Sequence, residues 1–266
     1  MKVAIVGFGP AAMYAIIACN DRGIYPTVMA NAVNINPGAF WLKSVPKKFV
    51  DGTQQHRIVI TKVGERENYI RKQWNEFPVG YKSSFPDTEF VEYGYDPVVT
   101  VPWILSQLKF DIEDTGKLGD PDLIKLGKKY DFVFHSFPSE LARKTLGNMI
   151  VKVPVTISTY DIKQGNRVIY NGRKGDFVVR VSYLFGKKYT EYSVHNMDSK
   201  DLDSKTNRFS QSSNVRWIED LRPISLSISV PYLAYNIIPI GRLGGFDRTV
   251  LAHHTYDLVS EIIEEI

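Results

Sequence analysis

The residues best suited to chemistry stand at the two ends of this chain. Near the start, "VGFGPAA" places Gly7, Gly9 and Ala12 at the positions of a G-x-G-x-x-A fingerprint. In such a turn the first glycine permits the tight exit from a strand and the second lets a pyrophosphate approach the backbone. A small third residue lets helix and strand pack closely. Pro10 suits the first turn of the following helix, and Ala11 follows it. The free N–H groups and dipole of that helix start favour phosphate. Near the other end, residues 237–263 read "IIPIGRLGGFDRTVLAHHTYDLVSEII". A hydrophobic strand runs into Gly241-Arg242, then Gly244, Gly245 and Phe246, then a long amphipathic stretch. The glycine pair leaves room for a flat ring against the backbone. Leu251, Leu258, Val259, Ile262, Ile263 and Ile266 fall on one helical face, which can dock on a core. The chemistry implied is the binding of a dinucleotide.

Elements must hold these turns in place. Residues 3–6 are a short apolar strand closed by Gly7, residues 11–19 are rich in helix formers, and residues 27–29 read as a second strand. This βαβ opening implies a parallel sheet. The acidic residue that often closes the second strand and binds a ribose is missing, because the segment reads "VMANAVN". Asn31 is left to hydrogen-bond a ribose hydroxyl there, with less charge assistance than a carboxylate.

The middle of the chain reads differently. From 31 to about 127 the pattern is irregular, with many aromatics and prolines, a charged helical piece at 65–74 and an amphipathic one at 102–112. Residues 128–138 form a buried strand returning to the sheet. Strands follow at 151–156, 167–170, 177–184 and 189–194, with a hairpin turn at Asn171-Gly172, and these predict an antiparallel second layer. Residues 198–213 read as an exposed polar loop. The expected architecture is an α/β, Rossmann-like parallel-sheet domain from residues 1–31, 128–150 and 236–266. An inserted substrate-binding part, containing an antiparallel sheet, takes residues 32–127 and 151–235.

Other chemistry is thinly represented. Adjacent His253 and His254 on a helix diverge by about 100° and do not share a metal easily. The five histidines and single cysteine show no zinc spacing, and there is neither a G-x-S-x-G element nor a Walker loop. Cys19 is expected to pack within the first helix. One cysteine precludes an intrachain disulfide framework and fits a reducing, cytoplasmic setting. No stretch approaches the roughly 20 apolar residues of a membrane span. The net charge of +4 is compatible with phosphate-bearing ligands or nucleic acid. The cations are scattered rather than massed, however, so nucleic acid is not indicated. The densest early group is Lys43, Lys47 and Lys48, read as a solvated face.

Taken together, the two terminal elements resemble FAD-dependent flavoproteins of the amine oxidase and UDP-galactopyranose mutase type. In that superfamily the chain returns at its C-terminus to the FAD first met at its N-terminus. The resemblance implies non-covalent FAD as cofactor, held by Gly7, Gly9, Pro10, Ala11, Ala12, Asn31, Gly241, Arg242, Gly244, Gly245 and Phe246. Arg242 would face the pyrophosphate or ribityl chain, and the last helix would point its N-terminus at the flavin pyrimidine. "YIRKQW" (69–74) is similar to the mutase branch's Tyr-x-x-Lys-Gln-Trp element, whose tyrosine stacks on a uracil; "RVIYNG" (167–172) and "IGRLG" (240–244) also echo that branch. Tyr69 and Trp74 are therefore candidate substrate contacts. So are Tyr232 and Tyr235, placed to flank the flavin ring. The implied activity is hydride removal from a small or nucleotide-linked substrate, at a carbon that can lie beside an amine. A flavin-dependent sugar-nucleotide mutase and a non-catalytic dinucleotide-binding protein are the alternatives.

Overall fold

The computed structural model describes residues 1–30, 41–74, 85–116, 118–137, 139–146, 150–193, 215–221, 232–241 and 252–265. The chain opens with β1 (Val3–Val6), α1 (Pro10–Asn20) and β2 (Thr27–Ala30). Next come β3 (Gln55–Gly64), α2 (Arg66–Trp74), β4 (Phe90–Tyr95), α3 (Pro97–Ser106) and β5 (Asp111–Asp114). α4 (Asp120–Lys129), β6 (Phe132–His135) and α5 (Glu140–Leu146) follow. Four strands then succeed one another: β7 (Ile150–Thr159), β8 (Asn166–Gly172), β9 (Val178–Leu184) and β10 (Lys187–Tyr192). β11 (Val215–Leu221), β12 (Ile237–Pro239) and α6 (His254–Glu264) complete the described elements.

The α/β expectation holds. A five-stranded sheet has the order β12-β6-β1-β2-β5, and every pair in it is parallel. Parallel sheets are covered on both faces, so their strands are apolar on both sides. Val3 and Ile5 accordingly join a core with α1, α3 and α6, while Ala4 and Val6 join another containing Leu123 of α4. Residues 12–19 of α1 are all buried, which places Cys19 in the core.

The second sheet has seven strands, in the order β11-β7-β10-β9-β8-β3-β4. It is mixed rather than purely antiparallel, because β3 and β8 run parallel. β3 and β4 occupy a stretch expected to be irregular. The predicted helix at 102–112 is displaced: α3 starts at Pro97, capped by Asp96, whose carboxylate accepts the Val98 N–H at 2.9 Å. Pro102 lies inside that helix, and residues 111–114 form the edge strand of the parallel sheet. Part of the expected insertion, 32–127, thus supplies α3, β5 and α4 to the parallel-sheet layer. The hairpin turn also moves. Asn171 and Gly172 remain in β8, and the turn occupies 173–177. The Asn171 amide donates to Asp176 at 2.7 Å, and its oxygen accepts the Arg173 N–H at 3.0 Å, bracing that turn. The polar segment 198–213 lies outside the described residues.

Candidate functional site

β1 ends at Val6 and the chain turns at once. Gly7 adopts φ +118°, and a Cβ there would lie 2.0 Å from Ser136 Oγ, so the turn requires glycine. Its N–H donates to the Met29 carbonyl at 2.8 Å, fastening the turn to the end of β2. Ser136 N–H in turn donates to the Val6 carbonyl at 3.0 Å. Sequence reasoning missed Ser136 as a supporting residue; the available signal was its place directly after the apolar run of β6.

Gly9 caps α1 in an extended conformation open to any residue. Its requirement for glycine is therefore spatial. Among the described residues a Cβ at Gly9 would meet nothing within 4 Å, so the helix start is open at the point where the fingerprint expects a pyrophosphate. No side chain caps α1, which leaves first-turn N–H groups for a ligand. Ala12 is buried, as close packing of helix against strand demands.

The far end of the chain arrives at the same place. The Ile240 N–H donates to the His135 carbonyl at 2.9 Å, and Gly241 follows with φ +71°. A Cβ at Gly241 would sit 2.9 Å from that of Ala11. The expected cofactor residues Gly7, Gly9, Pro10, Ala11, Ala12 and Gly241 are thus gathered at the C-terminal edge of the parallel sheet. Open α/β sheets bind their ligands at that edge. Asn31, Arg242, Gly244, Gly245 and Phe246 lie outside the described residues.

α6 runs in the same sense as α1. The Tyr14 and His253 rings are 6.4 Å apart near the two helix starts, and Arg22 pairs with Glu264 at the two ends. Val259 and Ile263 are buried against the core, as the one-sided apolar pattern predicts. Both helices therefore present their positive ends at the sheet edge that carries the glycine turns. The adjacent histidines do not diverge as a pair within a helix would. Their ring centroids are 4.3 Å apart, with His253 at the cap and His254 the first residue of α6. Burial, with smaller contributions from His254 and the Lys43 cation, holds the His253 imidazole below its usual range. Among the described residues no group of three potential ligands surrounds a metal position.

Two other titratable groups lie near the turn. His135, at the end of β6, is almost fully buried, and its Nδ1–H donates to the Phe137 carbonyl at 3.0 Å. Desolvation lowers its pKa and outweighs that hydrogen bond. Burial also pushes the Cys19 thiol up to about 12, which leaves it protonated and inert.

The expected substrate tyrosines are not at this edge. Tyr232 and Tyr235 precede β12, whose first residue Ile237 pairs with Val133 early in β6. They therefore lie towards the opposite, N-terminal edge of the parallel sheet. Neighbouring Asn236 is anchored there on the carbonyls of Gly127 and Tyr130. Tyr235 is 87% exposed. Tyr69 is displaced in the other direction. It is 1% exposed, with Tyr170 and Phe85 packed on it at centroid distances of 5.6 and 5.3 Å, and Gln73 donates to its hydroxyl. No face of the ring is left for a uracil. Lys72, in the same "YIRKQW" run, is also buried, donating to the carbonyls of Asn171 and Val178 at 3.0 Å each. This element is a bolt between α2 and the second sheet. Trp74 is the last residue of α2. Of the early lysines, Lys43 pairs with Glu92 at 3.1 Å and Lys48 with Asp21.

The fold is shared with solved flavin-dependent enzymes. A flavin-dependent brominase superposes with a TM-score of 0.55 at 8% identity, over all of this chain and 80% of its own. L-proline dehydrogenase from P. horikoshii gives 0.55 at 11% identity, covering 99% of this chain and 93% of its own. The tryptophan 6-halogenase from Streptomyces toxytricini gives 0.51 at 10%, covering 99% of this chain and 70% of its own. Identities this low define a common architecture and nothing finer. No protein-family model and no curated protein sequence matches the chain. No helix among the described residues is long and apolar enough to cross a membrane.

Proposed function

We propose that this chain is an FAD-dependent oxidoreductase that removes hydride from a small or nucleotide-linked substrate, at a carbon beside an amine. One observation carries the reading: Gly241, just after β12, sits against Ala11 in the first turn of α1, two residues on from Gly9. Two glycine turns, with Gly7 and Gly241 separated by 234 positions, meet at one sheet edge; that suits a ligand that needs both, and a dinucleotide bearing a flat ring is such a ligand. The common architecture with flavin-dependent enzymes supports the same choice.

In this reading Gly7, Gly9, Pro10, Ala11 and Ala12 receive the pyrophosphate. Asn31 meets a ribose, Gly241 and Arg242 hold the diphosphate or ribityl oxygens, and Gly244, Gly245 and Phe246 line the ring. Bound flavin would supply the two-electron acceptor, and the protein would position the substrate and tune the ring. The starts of α1 and α6 favour negative charge on the cofactor, each contributing about 0.3–1 kcal/mol. The cofactor-binding part comprises 1–31, 128–150 and 236–266, joined by α3, β5 and α4. The second sheet belongs to the substrate part. The mutase alternative loses Tyr69 as a uracil platform, because that ring is enclosed.

The absorbance spectrum of the purified protein, followed by titration of the apoprotein with FAD, tests this reading. Flavin bands with saturable one-to-one binding are expected, together with bleaching by an amine substrate under anaerobic conditions. A colourless protein that takes up no FAD would return the chain to the non-catalytic nucleotide-binding class.

A further inference from the structure

Three cations scattered along the sequence, Arg57, Arg167 and Lys188, are gathered on one face of the second sheet. Strand pairing fixes the arrangement. Val59 of β3 lies opposite Arg167 of β8, Arg167 opposite Tyr183 of β9, and Tyr183 opposite Lys188 of β10. Arg57, one pleat from Val59, lies opposite Tyr93 of β4. Their sequence neighbours Ile58, Val168, Leu184 and Tyr189 are buried in the core, so these side chains leave the other face of the sheet. There Arg57 and Arg167 are exposed, Tyr183 and Lys188 are half-buried, and Tyr93 is 55% exposed.

The positive charge of this face is uncompensated. Strands β3, β4, β8, β9 and β10 contain two carboxylates, Glu92 and Glu191. Glu92 lies opposite Ile58 and Glu191 opposite Val155, both core residues, so both carboxylates belong to the buried face. Among the described residues Arg57, Arg167 and Lys188 have no ion-pair partner. Aromatic rings order two of them instead. The Arg167 guanidinium lies 4.4 Å from the centre of the Tyr183 ring and the Lys188 ammonium 5.6 Å from it. Tyr160 packs edge-on against Tyr183 at 5.5 Å. A guanidinium stacked on a ring keeps its N–H edges free for oxyanions.

We propose that this face binds single-stranded nucleic acid, an activity separate from the flavin reading. The three cations are rooted on β3, β8 and β10, across three strand spacings or about 14 Å. That row is longer than one phosphate group and suits successive phosphates along a strand. At one end of it the exposed Tyr93 ring offers a base a stacking surface, which an acidic peptide does not need. A duplex can use the cations but not the ring, because its bases are already stacked.

Fluorescence anisotropy of a labelled oligothymidylate of about 12 nucleotides, titrated with the purified protein from low to physiological salt, tests the site. Saturable binding is expected, with a log–log salt slope of about −2, from three cations at roughly 0.7 each. A duplex of the same length should bind at least about fivefold more weakly, the smallest loss typical of one stacked base. Tyr93→Ala should weaken the oligonucleotide by the same factor and keep the salt slope. Arg167→Ala should flatten that slope by about 0.7. Both side chains are exposed, so both variants should fold and respond to FAD as the wild type does. Absence of oligonucleotide binding at low salt overturns the proposal. Equal affinity for the duplex also overturns it, as does equal affinity for a labelled polyglutamate, which would mark the face as a dock for an acidic protein. The wild-type comparisons decide the matter even where a variant fails to fold.

Discussion

Gly241 and Ala11 meet across the two ends of the chain, with a Cβ at position 241 lying 2.9 Å from that of Ala11 at a backbone φ of +71°. Gly241→Ala thus combines left-handed strain, about 1–2 kcal/mol, with a steric clash against α1. Gly23 supplies a matched control, with φ +71° and nothing within 4 Å of its would-be Cβ. Gly23→Ala should lower the melting temperature through strain alone and leave FAD titration unchanged. Gly241→Ala should lower it further and weaken FAD binding. Equal behaviour of the two variants in the titration would separate Gly241 from the cofactor site.

The fingerprint glycines should respond in opposite ways. Gly7→Ala meets Ser136 Oγ at 2.0 Å with φ +118°, and is expected to destabilise the fold itself. At Gly9 the backbone is extended and the space is open. An aspartate there is a favourable helix cap, so the apoprotein should be as stable as wild type or a few tenths of a kcal/mol more stable. Its carboxylate would nonetheless occupy the place of the pyrophosphate and repel it. Gly9→Asp should therefore fold well and retain no FAD in an equilibrium titration. A folded Gly9→Asp protein that copurifies with stoichiometric FAD would refute the N-terminal assignment.

Tyr69 tests the division between core and ligand platform. Truncating a large buried aromatic costs about 3–5 kcal/mol, so Tyr69→Ala should unfold at markedly lower denaturant. Tyr69→Phe keeps the contacts with Phe85 and Tyr170 and loses the bond from Gln73, for about 1 kcal/mol. Neither change should alter uridine diphosphate binding relative to wild type. Selective loss of uridine diphosphate affinity in a stably folded Tyr69→Phe protein would restore the platform role.

Much of the parallel layer was legible because its residues act locally. β1 is buried on both faces and reads as an unbroken apolar run, and the turn after it needs glycine for reasons visible in seven residues. β5 gave no such signal. "DIED" is exposed along its length and held by backbone pairing to β2, so its side chains resemble those of a loop. In α3 the internal Pro102 disguised a helix whose true start is the Asp96 cap. The fate of "YIRKQW" was equally hidden: a lysine and a glutamine look like surface residues until Asn171 and Val178, about a hundred positions away, supply the carbonyls that bury Lys72.

The buried imidazole of His135 sets a pH dependence of stability with a definite sign. Desolvation lowers its folded-state pKa below the ordinary 6.5, so the unfolded chain binds the proton more readily than the folded one. The contribution is fully present above about pH 6.5 and is lost as pH falls through the folded value. Other groups titrate over the same range, so the informative quantity is the difference between wild type and His135→Asn. Asparagine can still donate towards the Phe137 carbonyl without adding a proton in that range. Urea midpoints measured from pH 8 down to pH 5 should fall more steeply for wild type than for the variant, the two curves converging on the acid side. Parallel curves across the whole range would show that His135 titrates alike in the folded and unfolded chains, contrary to its burial between β1 and β12.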